Sequence, residues 1–78
     1  MVKKMLCLNS IDKVKSFVNV VTGFDFDIDL GSGRYIIDAK SIMGIFSLDL
    51  SKNIECTIHN NDADCSALLE AIAPYIVE

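Results

Sequence analysis

Few side chains in this 78-residue chain can do chemistry, and their spacing restricts what that chemistry can be. The sole histidine, His59, stands beside Asn60 and Asn61 with no cysteine or carboxylate at a ligand-like interval. That pattern predicts an exposed turn residue and no metal site. Cys7, Cys56 and Cys65 are odd in number, lack metal-like spacing and each fall in an apolar-periodic segment. They are expected as reduced core thiols. Asp25, Asp27 and Asp29 alternate with apolar residues, and carboxylates side by side on one open strand do not enclose a cation, so a solvated face is expected there. Ser41, placed between Lys40 and the run Ile42-Met43-Gly44-Ile45-Phe46, can cap a short helix through its hydroxyl. No residue set implies a bound cofactor.

The elements that must position these residues follow from periodicity. Phe24-Asp25-Phe26-Asp27-Ile28-Asp29-Leu30 alternates strictly, which predicts a strand with one apolar face and one solvated face. Gly31-Ser32-Gly33 supplies a tight turn, and 34–39 reads as the returning strand of a hairpin. Upstream, Ile11, Val14, Phe17, Val18 and Val21 recur at helical spacing; Asn9 or Ser10 can cap that helix and Gly23 is placed for a left-handed C-terminal cap. Residues 2–8 and 53–59 read as a first and a last strand, 41–48 as one or two helical turns. A final helix begins at Asp62 or Asp64, turns Leu68, Leu69, Ile72 and Ile76 inward, and is limited by Pro74. The order βαββαβα predicts an α+β open-faced sandwich, a four-stranded antiparallel sheet with helices on one face, in a single domain over 1–78.

Composition narrows the function. Half of the residues are apolar, enough for a core without staples, and no stretch approaches the roughly 20 apolar residues that span a bilayer. The apolar start of the chain stops at Asn9 without a small-residue cleavage site, so a cytoplasmic location and no membrane partner are expected. The net charge is −4 and the seven basic residues are scattered, which argues against a nucleic-acid partner. Ile42, Met43, Ile45 and Phe46 cannot all turn inward on so short a helix; Met43 and Phe46 are expected at the surface.

The segment 38–50, Asp-Ala-Lys-Ser-Ile-Met-Gly-Ile-Phe-Ser-Leu-Asp-Leu, resembles the regulatory-serine signature of the phosphocarrier protein HPr of the bacterial sugar phosphotransferase system, which in Gram-positive members reads close to L-K-S-I-M-G-V-M-S-L-G-I. Residues 24–30 are similar to the family's second strand, and the βαββαβα order is also the family's. The resemblance implies that Ser41 matches the serine phosphorylated by a dedicated ATP-dependent kinase, and that the helix after it docks partner proteins. It departs at the other end. The family carries a G-[LI]-H-[AT]-R-P-A loop whose histidine accepts phosphate from phosphoenolpyruvate by way of the system's first enzyme. Counting back without gaps from Gly23, the histidine position falls on Ser10, the arginine position on Asp12 and the proline position on Lys13.

Imidazole is partly neutral near pH 7 and its phosphoramidate keeps a high transfer potential, whereas a serine hydroxyl needs an activating base and forms a stable ester. The resemblance therefore implies a protein that is not an enzyme, a non-catalytic HPr-like binding or regulatory module with Ser41 as its phosphorylation candidate and Met43 and Phe46 as partner-binding candidates. Its partners would be phosphotransferase-system components, an HPr-type serine kinase or a transcriptional regulator. Two other readings stay open: a working phosphocarrier using another acceptor, and a fold-only remnant with an unrelated partner.

Overall fold

A computed structural model describes residues 1–77. The elements run β1 (Val2–Leu6), α1 (Ile11–Thr22), β2 (Asp27–Ser32), β3 (Tyr35–Asp38), α2 (Ile42–Phe46), β4 (Ile54–His59) and α3 (Ser66–Ile72), followed by a 3-10 turn over Ala73–Tyr75. All strand pairings are antiparallel, in the order β1-β4-β2-β3. The inward row of the sheet, Leu6, Ile28, Leu30, Ile54, Cys56 and Ile58, meets Val14, Phe17 and Val21 of α1, Ile45 of α2 and Leu68 and Ile72 of α3 in one apolar cluster. The opposite face carries Lys3, Asp27, Asp29, Asp38, Glu55, Thr57 and His59, all exposed or half-buried, so the helices cover one side only.

α1 begins where Ser10, in extended conformation, accepts a hydrogen bond from the Lys13 amide at 3.1 Å. Ile11 is 60% exposed although it falls on the apolar stripe, because at the first helical position it lies in the turn that precedes the buried residues Val14, Phe17 and Val21. The helix closes with the Gly23 and Phe24 amides donating to the Val20 and Val21 carbonyls. Gly23 stays right-handed at φ −78°, not in the left-handed cap its position suggests. Phe24 is thereby drawn into the helix exit, and the strand predicted from residue 24 starts its ladder at Asp27.

The hairpin turn is also tighter than the glycines imply. Gly31 and Ser32 remain in β2, and the two-residue loop Gly33-Arg34 joins Ser32 to Tyr35. Gly33 alone takes a positive φ, +61°, the geometry of a type II′ turn with glycine first.

α3 starts at Ser66, whose amide donates to the Asp64 carboxylate at 2.9 Å, with Cys65 in the N-cap position. Ile76 lies beyond the helix and bridges to Leu6, while the Cys7 amide donates to the Tyr75 carbonyl at 2.9 Å and the Val77 amide to the Met5 carbonyl at 3.0 Å. The tail thus runs along the outer edge of β1, and Tyr75 meets Phe17 edge-to-face at 5.6 Å. No helix among the described residues is long and apolar enough to cross a membrane.

Between β4 and α3, Asn61 and Asp62 hold positive φ of 49° and 66° while the Ala63 amide donates to the Asn60 carbonyl at 2.7 Å. A left-handed residue with a Cβ carries strain that glycine does not. Asp62→Gly should therefore raise the unfolding free energy by up to about 1 kcal/mol and Asp62→Val lower it by about 1–2 kcal/mol, read by urea denaturation.

Candidate functional site

The chemistry-bearing residues separate into three places. The first is α2. Ser41 is exposed, sits in extended conformation at the N-cap and accepts from the Gly44 amide at 3.2 Å, so its hydroxyl does cap the helix. The loop before it is fixed by the Ser41 amide on the Asp38 carbonyl at 3.0 Å, the Lys40 amide on the Asp38 carboxylate at 2.9 Å and the Lys40 ammonium on the Phe24 carbonyl at 2.7 Å. A Cβ at Gly44 would stand 3.2 Å from Ser41 Oγ and 3.3 Å from Ile37 Cβ, so glycine lets α2 lie against β3. With Ile45 buried and Ile42 half-buried, Met43 is left 77% and Phe46 40% exposed. Ser41, Met43 and Phe46 are thus gathered on one short helix.

The second place is the start of α1. Cys7, Leu8, Asn9 and Ser10 connect β1 to the helix, with Leu8 fully buried, and Ser10 is occupied as a cap. Asp12 lies in the first turn. Its charge complements the helix dipole and opposes a second anion at the same end.

The third place is the open face of the sheet. His59 is not an exposed turn residue: it ends β4 half-buried, with Nε2 2.8 Å from the Asp29 carboxylate. Asp29 stands opposite Thr57 in the ladder, so His59 is its diagonal neighbour on the same face. The β2–β4 pairing joins residues far apart in sequence, and the only signal for it was that both strands place these side chains on their non-apolar faces. The ion pair Lys3–Glu55 crosses the same face at 3.9 Å and is solvent-exposed on both sides. Among the described residues no group of three or more His, Cys, Asp or Glu side chains is arranged to hold a metal.

All three cysteines are free thiols; Cys56 and Cys65 are buried and Cys7 is half-buried. Burial, with Asp29 adding to it, pushes the Cys56 thiol up to about 12. On the surface, hydrogen bonds from the Ser51 hydroxyl and amide hold the Asp49 carboxyl below its usual range, and those from Ser66 do the same for Asp64.

The family model described as the PTS HPr component phosphorylation site matches residues 13–78, a span that includes α2 and begins after Ser10 and Asp12. Among solved structures, the phosphocarrier protein HPr from Bacillus anthracis is 28% identical, with 97% of this chain and 96% of that one covered at a TM-score of 0.73. HPr-C-His from Thermoanaerobacter tengcongensis is 21% identical, with 95% and 89% covered at a TM-score of 0.75, a likeness of fold.

In a thiol-reagent titration at pH 8 the half-buried Cys7 should react in the native state, while Cys56 should react only on unfolding. Native-rate labelling of Cys56, resolved by peptide mapping, would contradict its placement.

Proposed function

The chain belongs to the HPr family, and from that premise we propose that it is a non-catalytic binding or regulatory module whose working surface is α2. The observation that carries the reading is the position of the only histidine. In the β1–β4 ladder Leu6 pairs with Ile54 and Val2 with Ile58. His59 therefore lies at the opposite end of the sheet from the start of α1, where the family's phosphoacceptor would stand and where this chain has Ser10 and Asp12. His59 is also held by Asp29 with Asp27 opposite it in the ladder, a setting that repels phosphate. The α2 segment, in contrast, keeps the basic residue and the serine of the family signature and exposes Met43 and Phe46.

Ser41 serves this reading as the phosphorylation site. A phosphate there adds roughly −1.5 to −2 charges beside the free amides of a helix that has no acidic residue in its first turn, so the fold tolerates it. Its effect falls on partners, disfavouring acidic surfaces and recruiting basic ones. The partners that fit are other phosphotransferase-system proteins, an HPr-type serine kinase or a transcriptional regulator.

Incubated with phosphoenolpyruvate and the system's first enzyme, the chain should take up no phosphate; acid-labile phosphate on His59 would overturn the reading in favour of a carrier with a displaced acceptor. Met43→Ala and Phe46→Ala should each weaken partner binding by about 1–2 kcal/mol while circular dichroism stays unchanged. Ser41→Asp should alter affinity in a salt-dependent way.

A further inference from the structure

The two edges of the sheet are treated differently. The outer edge of β1 is covered by the tail through the Cys7–Tyr75 and Val77–Met5 hydrogen bonds. The outer edge of β3 carries no such tail among the described residues, only the Ser41 amide on the Asp38 carbonyl at its far end, and its Tyr35 and Ile36 are 71% and 73% exposed. An open edge with apolar side chains is a template for another strand. We propose that the strand it receives is β3 of a second copy of this chain, antiparallel and in register about a twofold axis at Ile36.

Backbone parity limits the registers. The Ala39 amide donates to Ile28 of β2, so odd-numbered residues aim their backbone groups inward. Even-numbered ones aim outward, as the Asp38 carbonyl confirms by accepting from Ser41 on that side. The backbone groups of Ile36 therefore face the open edge, and only registers that pair even residues with even residues form hydrogen bonds. Setting Ile36 against Asp38 brings Arg34 opposite Lys40 and an aliphatic side chain opposite a carboxylate. Setting Ile36 against Ile36 of the second copy brings Arg34 opposite Asp38 twice and Tyr35 opposite Ile37 twice, with a reciprocal pair of Ile36 hydrogen bonds at the axis. Charge and side-chain type favour this register over that one.

The pairing also relieves a conflict within each chain. Asp38 stands directly opposite Asp29 in the β2–β3 ladder, an unfavourable like-charge pair. Asp29 has His59, and Lys40 is committed to the Phe24 carbonyl, so among the described residues the Asp38 carboxylate meets only the Lys40 amide. Arg34 of the second copy supplies the missing cation, and the two sheets become one continuous sheet.

The test is sedimentation equilibrium of the full chain up to millimolar concentration, with folding checked by circular dichroism. Wild type should dimerise reversibly. Arg34→Asp and Asp38→Arg, each setting like charges across the axis, should weaken dimerisation at least about tenfold. An equimolar mixture of the two should restore it, because each reversed residue then meets its opposite. Ile36→Lys, at an exposed position that leaves the core untouched, should also give monomer. Wild type that stays monomeric at millimolar concentration, or a dimer indifferent to both Ile36→Lys and the charge reversals, would overturn the proposal.

Discussion

β4 is the last strand in the sequence and has a neighbour on each side, so the sheet's inner face closes only when Ile54, Cys56 and Ile58 enter between Leu6 of β1 and Leu30 of β2. The β2–β3 hairpin is local and its glycine turn can form early. Joining β1 to β2 through β4 requires contacts across most of the chain, the kind of closure that makes folding slow. Side chains of α1 and α3 bury against the platform that β4 completes. The same insertion assembles the open face, since it brings His59 alongside Asp29 and Glu55 near Lys3. What stabilises the fold and what the solvated surface displays are therefore two faces of one strand.

Those faces divide the energetics. No polar or charged residue among those described is buried, so the side chains of the core contribute through apolar burial. The open-face pairs are partly or wholly solvated and add little to stability. Their consequence is specificity of surface: carboxylates on β2 and β3 keep the face wet and disfavour stacking of one sheet on another, while leaving the β3 edge free to pair in its own plane.

The alternation of residues 24–30 and the 3.6-residue stripe of 11–21 made the strand, the helix and the one-sided sandwich legible in the sequence, because each pattern reports burial directly. Boundaries were less legible, for reasons that lie in the backbone. Phe24 obeys the strand alternation but is captured by the exit turn of α1, and Ile76 obeys the helical stripe of α3 but is released by Pro74 to bridge with Leu6. Gly31 reads as turn material yet stays in the ladder, since Gly33 alone meets the requirement for positive φ. At the surface, Met43 and Phe46 were legible because a five-residue helix cannot bury four large apolar side chains on one side. The Asp29–His59 contact was not, because strand order is set by packing between distant segments, which one-dimensional spacing does not encode.

The two serine-capped helix starts differ in a way that bears on which end of the molecule can carry an anion. At α1 the Ser10 hydroxyl takes the Lys13 amide, and Asp12 already places a negative charge in the first turn. The favourable field of that helix end is satisfied by the protein itself, and an added phosphate would meet repulsion. At α2 the Ser41 hydroxyl takes the Gly44 amide, and no acidic residue follows in the first turn. Asp38 places its carboxylate on the Lys40 amide, one residue before Ser41. The phosphate proposed at Ser41 would thus meet no carboxylate in the first turn of its helix, whereas one at Ser10 would meet Asp12.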